Sequence, residues 1–90
     1  MVKNKAKFFK ALGDETRLNI VSCLLEQEVC ACDFSHTKRD QTTVSRHLKV
    51  LVEAGILKYR RKGRNIFYSI KDSEVKKLLL SLGIKPIKSC

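Results

Sequence analysis

The sequence predicts a small, mostly α-helical fold with one β-hairpin towards its C-terminal end. Three observations predict it. Apolar residues recur at helical spacing in several stretches separated by capping residues and glycines. Two short segments rich in β-branched and aromatic residues flank Lys62-Gly63-Arg64, the signature of a hairpin. The chain is 90 residues long, enough for one core but not for a two-domain enzyme, so residues 1–90 are expected to form a single domain.

The first helix is expected from about Lys3 to Leu12, with Phe8, Phe9 and Leu12 on one side. Gly13 stops it and Asp14 caps the next, Glu15 to about Gln27, whose apolar stripe is Leu18, Val21 and Leu25 flanked by Ile20 and Leu24. A short segment from Cys30 to about Lys38 follows. Asp40 then caps a helix from Gln41 to Ala54, and Gly55 ends it. Ile56–Arg61 and Asn65–Ile70 are the two arms of the hairpin. A last helix starts near Asp72 or Ser73 and carries Val75, Leu78, Leu79 and Leu82.

Composition narrows the partners. Lys and Arg number 19 against 9 acidic residues, a net charge of +10, which points to a polyanion such as DNA, RNA or an anionic membrane. Hydrophobic residues make up 43% of the chain, with one Pro and four Gly, which argues against disorder. No apolar run approaches the length of a membrane span. The first residues carry charge with no apolar run behind them, so no signal peptide is expected. A cytoplasmic protein follows, with its four cysteines expected to be reduced thiols.

The charge is not evenly spread. From Lys38 to Arg64 nine basic residues face two acidic ones. Within Gln41–Ala54, the residues Val44, Leu48, Leu51 and Val52 fall on one side, with Gly55 just beyond. Thr42, Ser45, Arg46, Lys49 and Glu53 fall on the other. Hydroxyls, a guanidinium and an ammonium on one face, with Gln41, Thr42 and Thr43 at the helix start, can bond base edges and phosphates in a major groove. Thr and Ser are poor helix formers, so their density in the first turn and a half asks for another reason. A solvated face of an amphipathic helix is the ordinary alternative; the basic hairpin beside it shifts the balance. Arg60, Arg61, Lys62 and Arg64 crowd that hairpin, where they would lie along a phosphate backbone or reach a minor groove.

These residues resemble a known family. Ala11-Leu12-Gly13-Asp14-Glu15-Thr16-Arg17-Leu18-Asn19-Ile20, Thr43-Val44-Ser45-Arg46-His47-Leu48-Lys49-Val50-Leu51, Gly55-Ile56-Leu57 and Arg61-Lys62-Gly63-Arg64 together are similar to the ArsR/SmtB repressors, over Phe8 to about Leu82. The resemblance implies a winged helix-turn-helix that dimerises through its first and last helices. It also implies binding to double-stranded, pseudo-palindromic operator DNA. Release follows when a metal, metalloid or other thiol-reactive inducer binds. DNA contacts then map to Gln41, Thr42, Thr43, Ser45, Arg46 and Lys49, with Arg61, Lys62 and Arg64 on the wing. Many apolar residues on the terminal helices (Phe8, Phe9, Leu78, Leu79, Leu80, Leu82 and Ile84) agree with a dimer, though some must serve the core.

Glu28-Val29-Cys30-Ala31-Cys32-Asp33-Phe34 resembles the Cys-Val-Cys-Asp-Leu signature at the start of the third helix in the arsenic, antimony, cadmium and lead sensors of this family. Soft thiolates suit soft ions, so As(III) or Sb(III) is the first expectation for the inducer, with Cd, Pb or Zn next. Residues i and i+2 of a helix point about 200° apart, so chelation by Cys30 and Cys32 is expected to distort a helical first turn and pass strain to the recognition helix. The resemblance places a third cysteine where this chain has Ser35, and an N-terminal cysteine where residues 1–22 have none. Three candidates for the third ligand stay open: His36, Cys90 on the tail after Pro86, and Cys23, for which a small buried core residue is the competing role. A second metal site of the family, on the last helix, would start at Asp72. Glu74, Lys85 and Lys88 occupy its remaining positions and rule it out. His47, on the inner flank of the recognition helix, reads as a packed, hydrogen-bonded residue.

Other functions compete. A thiol-redox or persulfide-responsive repressor would use a cysteine pair, with Cys23 and Cys90 near, but not on, the positions this resemblance implies. A non-specific nucleic-acid-binding protein would explain the charge but not the Cys-x-Cys. An enzyme is not expected: no nucleophile–base–acid set or phosphate-binding Gly loop is apparent.

Overall fold

The computed structural model describes residues 4–30 and 41–86. The elements run α1 (Lys5–Leu12), α2 (Glu15–Leu24), β1 (Val29–Cys30), α3 (Gln41–Glu53), β2 (Leu57–Lys62), β3 (Asn65–Ile70) and α4 (Ser73–Ser81). Among the described residues no helix is long and apolar enough to cross a membrane.

Local chemistry sets most boundaries. Asn4, Asp14 and Asp72 are N-caps, each accepting a backbone N–H three residues on at 2.9–3.0 Å. The Asp72 carboxylate that matches a metal ligand in the family is therefore engaged as a helix cap. At the end of α3, Gly55 takes φ 81°. Its N–H bonds the Val52 carbonyl and the Ile56 N–H bonds that of Leu51. This is the paired arrangement that closes a helix on a left-handed residue, and a side chain there would be strained. Leu51 and Ile56, both fully buried, pack the same corner into the core.

The sheet is antiparallel, in the order β1-β3-β2. Two residues, Gly63 and Arg64, join β2 to β3 below the Lys62–Asn65 rung, and Gly63 takes φ 62°, as the primed hairpin turns require. The Leu57–Ile70 rung at the root is buried, whereas Lys58 to Asn65 are exposed. At about 3.4 Å per residue the hairpin projects roughly 17 Å from its buried root.

Three expectations are corrected here. The second helix stops at Leu24 and not near Gln27. Leu24 and Leu25 both stay buried, so apolar burial runs on after the helical hydrogen bonds stop. Cys30 does not open a helix: it lies in β1, paired with β3. The hairpin is one part of a three-stranded sheet, because β1 adds a short edge to it. The helix expected after Cys30 and the Asp40 cap lie outside the described residues.

The core is one cluster in which Phe8, Ile20, Val21, Leu24, Leu48, Leu51, Ile56 and Leu79 bring α1, α2, α3, the root of the hairpin and α4 together. Phe8 is fully buried but its neighbour Phe9 is 50% exposed, and Leu80 and Leu82 are 45% and 48% exposed beside buried Leu79. The terminal helices thus divide their apolar residues between the core and the surface.

Candidate nucleic-acid interface and thiol site

The inner stripe of α3 is anchored by Val44, Leu48 and Leu51, all buried, with Val52 half-buried. That leaves Ser45, Arg46, Lys49 and Glu53 in solvent, as the periodicity predicts. Gln41, Thr42 and Thr43 form the first turn of α3, and their side chains lie outside the described part of the structure. The wing adds exposed Arg61, Lys62 and Arg64.

Arg60 behaves differently from its neighbours. Its Nε donates to Glu28 Oε2 at 2.8 Å and its Nη2 to Glu28 Oε1 at 2.7 Å. The guanidinium also lies 5.2 Å from the centroid of the Phe67 ring. The hydrogen bonds from Arg60 hold the Glu28 carboxyl below the usual carboxylate range, and Glu28 in turn raises the Arg60 guanidinium. Among the wing cations Arg60 is thus paired at mid-strand, whereas Arg61, Lys62 and Arg64 are exposed nearer the tip. On the opposite face, Tyr59 and Tyr68 stand across from each other with ring centroids 6.0 Å apart. Burial, and then the neighbouring Tyr59, push the Tyr68 phenol up.

His47 is held as the sequence suggests. Arg17 Nη1 lies 3.1 Å from its Nδ1, and Arg17 Nε donates to the Ala11 carbonyl at 2.6 Å. One guanidinium thus ties α1, α2 and α3 together at the base of the recognition helix. Nothing in the local pattern of Glu15-Thr16-Arg17 reveals this partner, 30 residues away.

Of the proposed thiol ligands, Cys30 is described and is 7% exposed. Cys32, His36 and Cys90 lie outside the described residues. Among the described residues no three His, Cys, Asp or Glu side chains gather into a metal site. Cys30 itself sits at the end of strand β1 and not in a helical turn. The helical turn whose distortion was expected to carry the strain lies outside the described residues. Cys23 is almost fully buried in the core, as its competing role implies. It is also disulfide-bonded, against the expectation of four reduced thiols. A bridge requires Cα atoms within about 7 Å, and the redox poise around the protein then sets whether it stays closed.

A helix with a polar, cationic outer face beside a projecting basic hairpin defines a winged helix-turn-helix DNA-binding protein. Residues 14–59 match the model of the bacterial regulatory protein arsR family. The chain belongs to that family, whose members are transcriptional regulators and not enzymes. It is 46% identical over 76 residues to a cadmium resistance transcriptional regulatory protein CadC homolog of Staphylococcus aureus, covering 82% of this chain and 63% of that one. It is 43% identical over 74 residues to a transcriptional repressor SmtB homolog of Synechocystis, covering 81% and 56%. The chain therefore spans less than two thirds of either relative. Its fold matches the homodimeric winged helix-turn-helix DNA-binding domain of a Mycobacterium bovis protein with a TM-score of 0.83 at 28% identity, over 89% of this chain and 75% of that one.

Proposed function

We propose that the chain is a transcriptional repressor that binds operator DNA as a homodimer and is released when a soft ion is captured by Cys30 and Cys32. The observation that carries this reading is the placement of Cys30 in a strand hydrogen-bonded directly to the wing. A thiol that meets an inducer there is one strand away from the part of the protein that would touch phosphate. Ser45, Arg46 and Lys49, with Gln41, Thr42 and Thr43 at the start of α3, face the major groove. Arg61, Lys62 and Arg64 contact the flanking backbone. Phe9, Leu80 and Leu82, exposed on α1 and around the end of α4, are covered by the second protomer.

Thiolate pairs select As(III) or Sb(III), and also Cd(II) and Pb(II); His36 as third ligand would favour Cd(II) or Zn(II), and Cys90 would favour As(III). The cadmium-resistance role in the name of the Staphylococcus aureus relative supports a soft divalent ion equally well. By linkage, an ion that weakens operator binding must itself bind the DNA-free dimer more tightly by the same factor.

A competition gel-shift with As(III), Sb(III), Cd(II), Pb(II), Zn(II) and polysulfide, run on wild type, Cys30→Ser and Cys32→Ser, tests the reading. Both variants should bind operator normally and fail to release it. A full response of both variants to every ion would reject the Cys-x-Cys site. The disulfide at Cys23 favours one second reading, a thiol-redox repressor. Release by polysulfide alone, abolished in Cys23→Ser, would select it.

A further inference from the structure

The ion pair between Glu28 and Arg60 joins the chain before β1 to the middle of β2. An exposed ion pair adds little stability, because solvent screens it, and Arg60 is 57% exposed. Its position is more informative. Cys30, Phe67 and Arg60 form one continuous rung across the three strands: Cys30 pairs with Phe67, and Phe67 with Arg60. Side chains on one rung share a face, and the two hydrogen bonds from Arg60 bring the Glu28 carboxylate to it. The guanidinium of Arg60 spans this face. It stacks over Phe67 and grips both oxygens of Glu28. A two-pronged fork on an aromatic ring fixes direction, whereas a single exposed contact does not. The β1 edge has only two paired residues, and the fork adds a side-chain link from the chain just before it to β2.

We propose that Glu28 is a positioning residue of the wing: through Arg60 and Phe67 it locks the wing to the strand that carries Cys30, so that a change at Cys30 reaches DNA through the wing. The second half of this statement rests on the soft-ion reading given above; the first half does not. Displacement of β1 by ion capture must either move Phe67 or break the fork. In both cases the arm that carries Arg61, Lys62 and Arg64 is re-aimed.

Two variants test it. Glu28→Gln removes the charge that Arg60 grips, and Arg60→Lys keeps the charge of the wing but cannot form the fork. Circular dichroism and melting confirm that each is folded. Cd(II) binding to the DNA-free protein is followed by thiolate-to-metal absorbance, and operator affinity is measured with and without Cd(II). Both variants should bind Cd(II) as wild type does, yet the Cd(II)-induced fall in operator affinity should shrink by about threefold or more. A fall of wild-type size in both variants would overturn the coupling. If wild type itself ignores Cd(II), the soft-ion reading fails for that ion and the wing is judged on DNA alone. Hydroxyl-radical footprints should then show altered protection of the sugars flanking the recognition-helix contacts in both variants. Footprints identical to wild type would overturn the positioning role.

Discussion

Arg17 on α2 reaches His47 on α3 at 3.1 Å, Nη1 to Nδ1, while its Nε holds the carbonyl of Ala11 at the end of α1. Arginine can only donate, so Nδ1 of His47 is the acceptor and the ring proton sits on Nε2. The recognition helix is thus fixed to α2 by a bond that depends on one tautomer. Arg17→Ala should lower stability by about 1.5–3 kcal/mol, the range for a lost charge-assisted hydrogen bond. His47→Ala should lower it less, and the double variant should be clearly non-additive. Additive losses in chemical denaturation would mean that the two side chains act separately.

Arg46 is exposed on the outer face of α3, one turn before Lys49. If it reads a base, Arg46→Ala should weaken operator binding by about 1–3 kcal/mol and relax preference at one operator position. A uniform loss on all sequences would reassign it to phosphate.

Neutralising Arg61, Lys62 and Arg64 one at a time should flatten the salt dependence of operator binding, by about one unit of slope per lost phosphate contact. All three lie on exposed stretches of the hairpin, towards its tip. An unchanged slope would show that the wing points away from the DNA.

The recognition helix was legible because its stripe of Val44, Leu48 and Leu51 repeats at helical spacing and each boundary has its own local chemistry. Asp14, Gly13 and Gly55 could be read for the same reason: a cap is a property of a few adjacent residues. The strand β1 could not be read. Two residues carry no period, and its partners Tyr68 and Phe67 lie far along the chain. The Glu28–Arg60 and Arg17–His47 pairs were hidden alike, at separations of 32 and 30 residues. Composition placed Arg60 with the other wing cations, and only the fold reveals that it is paired. The wing cations and the outer face of α3 were visible because exposure follows directly from strand and helix periodicity.

Phe9→Glu and Leu80→Glu each place a charge on an apolar residue that the isolated chain leaves about half exposed. If a second protomer covers them, sedimentation should show a shift from dimer to monomer with the fold retained. Operator affinity should fall with it, since one half-site contact holds far less well than two joined ones. A dimer unchanged in both variants would move the interface elsewhere.

Asp14 provides the last test, through pH. Its carboxylate caps α2, and the hydrogen bond from the backbone N–H of Arg17, aided by the Arg17 charge, holds its pKa below the ordinary value despite partial desolvation. A carboxyl lowered in the folded state binds its proton more weakly than in the unfolded chain. Its contribution is therefore fully present above the unfolded pKa and lost as pH falls through the folded one. Stability should be flat near neutrality and fall on the acid side of the usual carboxylate range. Asp14→Ala should lose about 1 kcal/mol at neutral pH, as N-cap removal does. Asp14→Asn keeps a capping oxygen that does not titrate, so it should stay near wild type at neutral pH and show a shallower acid limb. Glu28 is lowered as well, by the hydrogen bonds from Arg60, but solvent screens that exposed pair, so its share of the limb should be small. Denaturation curves of Asp14→Asn, Glu28→Gln and the double variant across the acid range separate the two contributions. An acid limb in Asp14→Asn as steep as in wild type would show that the cap's charge is not what acid removes.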